Sequence, residues 1–157
     1  MNNTHIGKRL RLINYDYSTP GVYFVTFCTK DRRPVLSEIL VGSSIDCPPE
    51  VSLTHAGAVL DAAIGQIPLR YPSVSVKQHV IMPNHVHLLL QLKDENSPSL
   101  GRIIQQLKGT VSKQLGTSIW QDKYYDHVIR DENDYHKKYQ YICNNPAKWA
   151  EDEYYYP

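Results

Sequence analysis

Residues 74–82 and 85–92 are two runs rich in β-branched and aliphatic side chains, separated only by Pro83 and Asn84. Proline with asparagine is turn chemistry, and a two-residue connection between strands makes an antiparallel hairpin. A chain containing such a hairpin is committed to an antiparallel sheet, and its other segments must pair beside that hairpin or cover it. The turn also sets side-chain direction: Met82 faces His85, and Val80 faces His87. Positions i and i+2 of a strand project from one face, so the two imidazoles stand together near one end of the hairpin on an otherwise apolar face. His79 points to the opposite side. A His-x-His pair of this kind has metal-ligand spacing; its structural alternative is a pair of half-buried, hydrogen-bonded histidines.

The flanking sequence supplies the remaining elements. Residues 22–29 (VYFVTFCT) follow Pro20-Gly21 and read as a first strand. Residues 42–49 are loop-like, and a helix is predicted over 52–69, with Val59, Ala62, Ala63 and Ile67 among its apolar positions, ending before Pro72. A second helix is predicted over 99–115, closed by Gly116, then a short strand over 127–130. Asp131 offers an N-cap for a third helix that runs to Asn145 and stops at Pro146, with Glu132 and Asp134 in its first turn. The order predicts an α+β, ferredoxin-like β-α-β-β-α-β antiparallel sheet with an extra C-terminal helix. At 157 residues, this is expected to be one domain over 1–157.

The third helix carries an apolar stripe of Tyr135, Tyr139, Ile142 and Cys143 at i, i+4, i+7 and i+8. Tyr141 falls outside that stripe, and Asn145 is one turn beyond it, so a phenol and a carboxamide share one flank. A groove-packing aromatic and a helix-terminal residue before proline are their structural alternatives. The formal charge of +1 conceals two basic segments, 1–33 with six bases and two acids and 102–148 with eight and five. Clustered bases of this kind fit a nucleic-acid partner, or a solvated mixed surface. No run approaches the length of a membrane span and residues 1–11 carry no apolar signal, so a cytoplasmic protein without membrane contact is expected. Three cysteines, Cys28, Cys47 and Cys143, without Cys-x-x-Cys spacing, are expected to be reduced thiols.

Residues 82–90 (MPNHVHLLL), 120–130 (WQDKYYDHVIR) and 141–146 (YICNNP) together resemble the REP-associated tyrosine transposases, relatives of the single-tyrosine insertion-sequence transposases within the His-hydrophobic-His nuclease superfamily. The match runs from the first strand to about Trp149. The resemblance implies that His85 and His87 are metal ligands, that Tyr141 is the nucleophile and that Asn145 is the third ligand. It implies a metal-dependent endonuclease and strand transferase that acts on single-stranded or hairpin DNA of a prokaryotic nucleoid, through a 5′-phosphotyrosine intermediate. A divalent cation held by two imidazoles and an amide oxygen retains open positions for phosphate, and phosphate chemistry together with the family points to Mg2+ or Mn2+.

The substrate-gripping basic character of the family's second helix falls here on Arg102, Lys108 and Lys113. Trp120 either stacks on unpaired bases or packs beneath a loop, and Arg130 either contacts DNA or joins Asp126 and His127 in a hydrogen-bonded cluster. Both a monomer and a homodimer fit, and the acidic tail after Trp149 is expected to carry no DNA-recognition extension. The rival readings are an inactive descendant that still binds structured nucleic acid, an RNA-binding module, and a hydrolase using metal-bound water.

Overall fold

The computed structural model describes residues 20–41 and 49–156. Cys47, the N-terminal basic residues and all but the last residue of the expected loop 42–49 lie outside the described residues. Its principal sheet has four antiparallel strands, β1 (Gly21–Thr29), β4 (Val74–Ile81), β5 (His85–Leu92) and β6 (Trp120–Val128), in the order β4-β5-β1-β6. Helices α1 (His55–Arg70) and α2 (Leu100–Leu115) connect β-strands, and α3 (Glu132–Asn144) follows the last strand. This is the ferredoxin-like order, with the extra C-terminal helix in place.

The sheet has two different faces, which follow from strand alternation. Tyr23, Val25 and Phe27 of β1 and Leu88 and Leu90 of β5 point one way and bury completely against Leu60 and Ile64 of α1 and Ile103 and Leu107 of α2. Burying each such aliphatic side chain contributes about 1.5–3 kcal/mol, which makes this face the source of most of the stability. On the other face β1 offers Phe24, Thr26 and Cys28 opposite Leu89, His87 and His85 of β5. That face is covered by α3. β5 is therefore closed on both sides, which is why its sequence is almost uniformly buried despite two histidines.

The hairpin register is the expected one: Val80 lies opposite His87, and the Met82 N–H donates to the His85 carbonyl at 2.9 Å. Four expectations need correction. Residues 52 and 53, assigned to the first helix, instead belong to β3 (Glu50–Leu53), paired with β2 (Ser37–Leu40) in a separate two-stranded sheet. The helix begins only after Thr54, whose hydroxyl oxygen accepts from the Gly57 N–H. Its buried face is led by Leu60, Ala63, Ile64 and Ile67, while Ala62 is exposed. The last strand is β6, Trp120–Val128, rather than a short piece at 127–130. Its mixture of polar and aromatic residues reflects an edge position with one side open, and a register shift between Phe27 and Thr29 accommodates Trp120.

The fourth correction concerns α3. Cys143 is exposed, whereas Ile142 and Asn145 are buried and Tyr135, Tyr139, Asp134 and Lys138 are all half-buried. The helix packs on a polar sheet face, so the apolar stripe marks only part of its inner side. Among the described residues, no helix is long and apolar enough to cross a membrane.

Candidate active site

His85 and His87 are buried, with 0% and 2% exposure. Each ring is oriented by a neighbour. The Asn84 Nδ2 donates to the carbonyls of Arg32, at 3.0 Å, and Tyr154, at 2.6 Å, which turns Asn84 Oδ1 toward His85 Nδ1 at 2.9 Å. His85 Nδ1–H therefore donates to that oxygen, and Nε2 keeps its lone pair. Asp31 and Arg32 both have left-handed backbone (φ 56° and 54°), strain of about 1 kcal/mol or more per residue, and this turn delivers the Arg32 carbonyl to Asn84. On the second ring, Nδ1 lies 2.6 Å from Thr26 Oγ1. Among the described residues, the buried His87 Nε2 has no hydrogen-bond partner.

Burial pulls His85 down to about 4, helped by the Arg32 charge and opposed by its contact with Asn145. Burial also holds His87 well below its ordinary value, with the His85 and Lys138 charges acting in the same direction. Both imidazoles are thus neutral near pH 7, the form in which they donate to a cation.

The third helix brings Tyr141 and Asn145 to this pair. Asn145, 3% exposed, places Oδ1 3.4 Å from His85 Nε2. The Tyr141 ring meets His87 edge-on at 5.2 Å and Phe24 at 5.9 Å. Its phenol is held above its ordinary pKa by burial and then by the negative charge of Asp152, so it is un-ionised at neutral pH. A cleft of about 740 Å³ opens on Tyr141 and Asn145, with Lys137 and Lys148 among its lining residues.

Sequence reasoning missed Asp152. Its carboxylate is buried and lies 3.6 Å from His85 Nε2. The contact is no ion pair at neutral pH, because His85 is neutral there. An imidazole lone pair, the Asn145 carboxamide and the Asp152 carboxyl thus converge, with Asn145 hydrogen-bonded to Asp152 and burial holding that carboxyl above its ordinary pKa. Among the described residues no three His, Cys, Asp or Glu side chains form a metal cluster, so an amide donor such as Asn145 is needed to complete any site on the histidine pair. The orphaned His87 Nε2 and this convergence fit a divalent cation. Trp149 and Tyr154 close over the His85 ring, at 6.1 Å and 4.6 Å between centroids. The tail's run of aromatics was the available signal for this packing.

The basic and aromatic candidates are dispersed. Arg102 and Lys113 lie on α2, across the sheet from Tyr141, and line clefts of about 790 and 880 Å³, Arg102 both of them and Lys113 the larger. Lys108 is engaged internally: Nζ donates to the carbonyls of Gln121 and Lys123 at 2.8 and 3.0 Å, which ties α2 to β6. Trp120 is 4% exposed and packs edge-on against Phe27 at 5.0 Å, so it is a core residue rather than a stacking platform. Arg130 is exposed in the turn between β6 and α3. The expected cluster divides, because Asp126 and His127 occupy opposite faces of β6; His127 Nε2 pairs with Asp134 Oδ2 at 2.7 Å, to which the Arg130 N–H also donates. His79 faces away from the site and pairs with Asp61 of α1 at 3.0 Å.

No protein-family model matches the chain. An uncharacterised protein of Haemophilus influenzae is 30% identical over 176 residues, spanning 96% of this chain and 94% of the relative. The chain is 27% identical over 133 residues to the REP-associated tyrosine transposase of Escherichia coli, spanning 84% of this chain and 70% of that protein. Among solved structures, a REP-associated tyrosine transposase bound to a REP hairpin matches with a TM-score of 0.67 at 24% identity, over 89% of this chain and 73% of that one.

Proposed function

Because the chain belongs to the REP-associated tyrosine transposases, we propose that it cuts and rejoins single-stranded DNA beside a hairpin, with Tyr141 as nucleophile. The observation that carries this reading is the meeting of Tyr141 with the buried His85–His87 pair on one sheet face, where His87 Nε2 has no partner among the described residues. His85, His87 and Asn145 would hold a divalent cation, Mg2+ or Mn2+, with the Asp152 carboxylate beside them. Bound there, the cation neutralises charge on the phosphate and on the leaving oxygen.

The chain's own residues do the rest. Asn84 and Thr26 fix the two imidazoles, and α3 carries the phenol to the edge of the His87 ring. Attack forms a bond from Tyr141 Oη to phosphorus and breaks the bond from phosphorus to the 3′ oxygen. The phenol proton passes to solvent as the 3′ oxygen takes one up, giving a 5′-phosphotyrosine and a free 3′-hydroxyl. The ester keeps the bond energy, so a second 3′-hydroxyl can reverse the step and join a new strand.

A substrate that must reach a phenol on a helix lying over a sheet has to be unpaired at the cut. Single-stranded oligonucleotides carrying a hairpin should be cleaved in Mg2+ or Mn2+, and the same sequence as a full duplex should not. His85→Ala or His87→Ala should lower the rate by on the order of 100-fold or more. Equal cutting of both substrates, or wild-type rates in either variant, would contradict the assignment. Hairpin binding without cleavage would mark an inactive descendant.

A further inference from the structure

Lys138 is turned inward on α3, where an apolar residue would serve packing better. At about 100° per residue, Lys138, Tyr141 and Asn145 fall within roughly 60° of one another around the helix, so the three share the face toward the site. The Lys138 Nζ stands 5.1 Å from the centre of the Phe24 ring. That same ring stacks on His87 at 5.2 Å and receives the edge of Tyr141 at 5.9 Å. One phenyl group therefore joins the ammonium, a candidate ligand and the candidate nucleophile.

Among the described residues no anion pairs directly with this charge, although Asp134 favours its charged form through space. Asp134, one turn earlier, is engaged by His127 Nε2 at 2.7 Å and by the Arg130 N–H at 3.2 Å. The ammonium is half-buried, and burial disfavours its charged form. Its positive field also falls on His87, where a divalent cation would be repelled by it. The arrangement is unfavourable for the protein alone and becomes favourable when a phosphodiester arrives between the two positive charges.

We propose that Lys138 is a catalytic residue that binds a non-bridging oxygen of the scissile phosphate and stabilises the charge that builds there as Tyr141 attacks. This rests on the transposase reading above. Lys138 neither gives nor takes a proton; its ammonium hydrogen-bonds the phosphate oxygens as the bond to Tyr141 forms and the bond to the 3′ oxygen breaks.

The test compares wild type, Lys138→Met, Lys138→Arg and Tyr141→Phe on a hairpin-bearing single strand whose linkage, at the bond the wild type cuts, is either a phosphodiester or an uncharged methylphosphonate. Covalent adduct formation in Mn2+ should be about 100-fold slower for Lys138→Met on the phosphodiester and within about tenfold of wild type for Lys138→Arg. On the methylphosphonate, which is uncharged before attack and keeps only one non-bridging oxygen, the loss for Lys138→Met should shrink to less than about tenfold. Mn2+ affinity and melting temperature of Lys138→Met should equal or exceed those of the wild type, because the repulsive, half-buried ammonium is gone. The proposal is overturned if Lys138→Met equals wild type on the phosphodiester while Tyr141→Phe is inactive. It is also overturned if the loss is undiminished on the methylphosphonate or is accompanied by weaker Mn2+ binding, the signature of a packing role transmitted through α3. A wild type that binds the hairpin and forms no adduct sinks the transposase reading, and this proposal with it.

Discussion

Neutrality of the two imidazoles at physiological pH has a direct consequence. Protons compete with a cation for Nε2 only when the free ring titrates, and burial moves His85 to about 4 and His87 well below the usual histidine value. Mn2+ affinity measured by calorimetry should therefore change little between pH 8 and pH 6 and fall only toward pH 4. A decline centred near pH 6.5 would mean that the rings are solvated. Linkage gives the matching stability effect: between the unfolded value and these lowered values the unfolded chain binds protons that the folded chain refuses, so the metal-free protein loses stability as pH falls from about 6.5 toward 4. Strand alternation alone puts His85 and His87 on one face and helical spacing puts Tyr141 and Asn145 on one flank, but Tyr141 and Asn145 stood out as candidates only through the resemblance carried by residues 141–146. Asp152, Thr26 and Asn84 were not legible in the sequence. Each acts through a contact between segments distant in sequence, such as Thr26 with His87 or Asp152 with His85, and no local pattern encodes such contacts.

Among the elements, α3 departs furthest from its hydrophobic pattern, because the surface beneath it is a polar site rather than the core. Periodicity located the helix and its ends and found only part of its inner side, placing Ile142 correctly but not the outward Cys143 or the half-buried Lys138. The two-stranded sheet of β2 and β3 was missed for a different reason: four-residue strands carry too little pattern to separate from a helix start. Gly57 links that sheet to α1. A side chain there would run into the Leu36 carbonyl oxygen, and Leu36 is wholly buried. Gly57→Ala should therefore destabilise the fold by about 1–3 kcal/mol, despite the better helix propensity of alanine. Denaturant unfolding measures this directly, and an unchanged midpoint would show that the helix can move away from Leu36 at no cost.

For the molecule as a whole, the sheet divides the labour. Its apolar face, under α1 and α2, supplies stability, while its polar face, under α3, carries the candidate site. The sequence order of strands and helices made this architecture legible, since few arrangements accommodate a tight hairpin flanked by two crossover helices. Arg102 and Lys113 lie across the sheet from Tyr141, so any phosphate grip they provide acts on a part of the DNA remote from the cut. Replacing both with alanine should weaken hairpin binding and reduce the salt dependence of binding by about two phosphate contacts. The adduct rate at saturating DNA should stay near wild type; a collapse of that rate would place these side chains at the cut instead. The central claim is that Tyr141 becomes covalently joined to DNA. After incubation of the wild type with a cleavable hairpin-bearing strand in Mn2+, peptide mapping by mass spectrometry should locate a 5′-phosphonucleotide on Tyr141, with Tyr141→Phe folded, able to bind metal and free of adduct. An adduct on Tyr124, Tyr125 or Tyr139, or one that survives in Tyr141→Phe, would contradict the account.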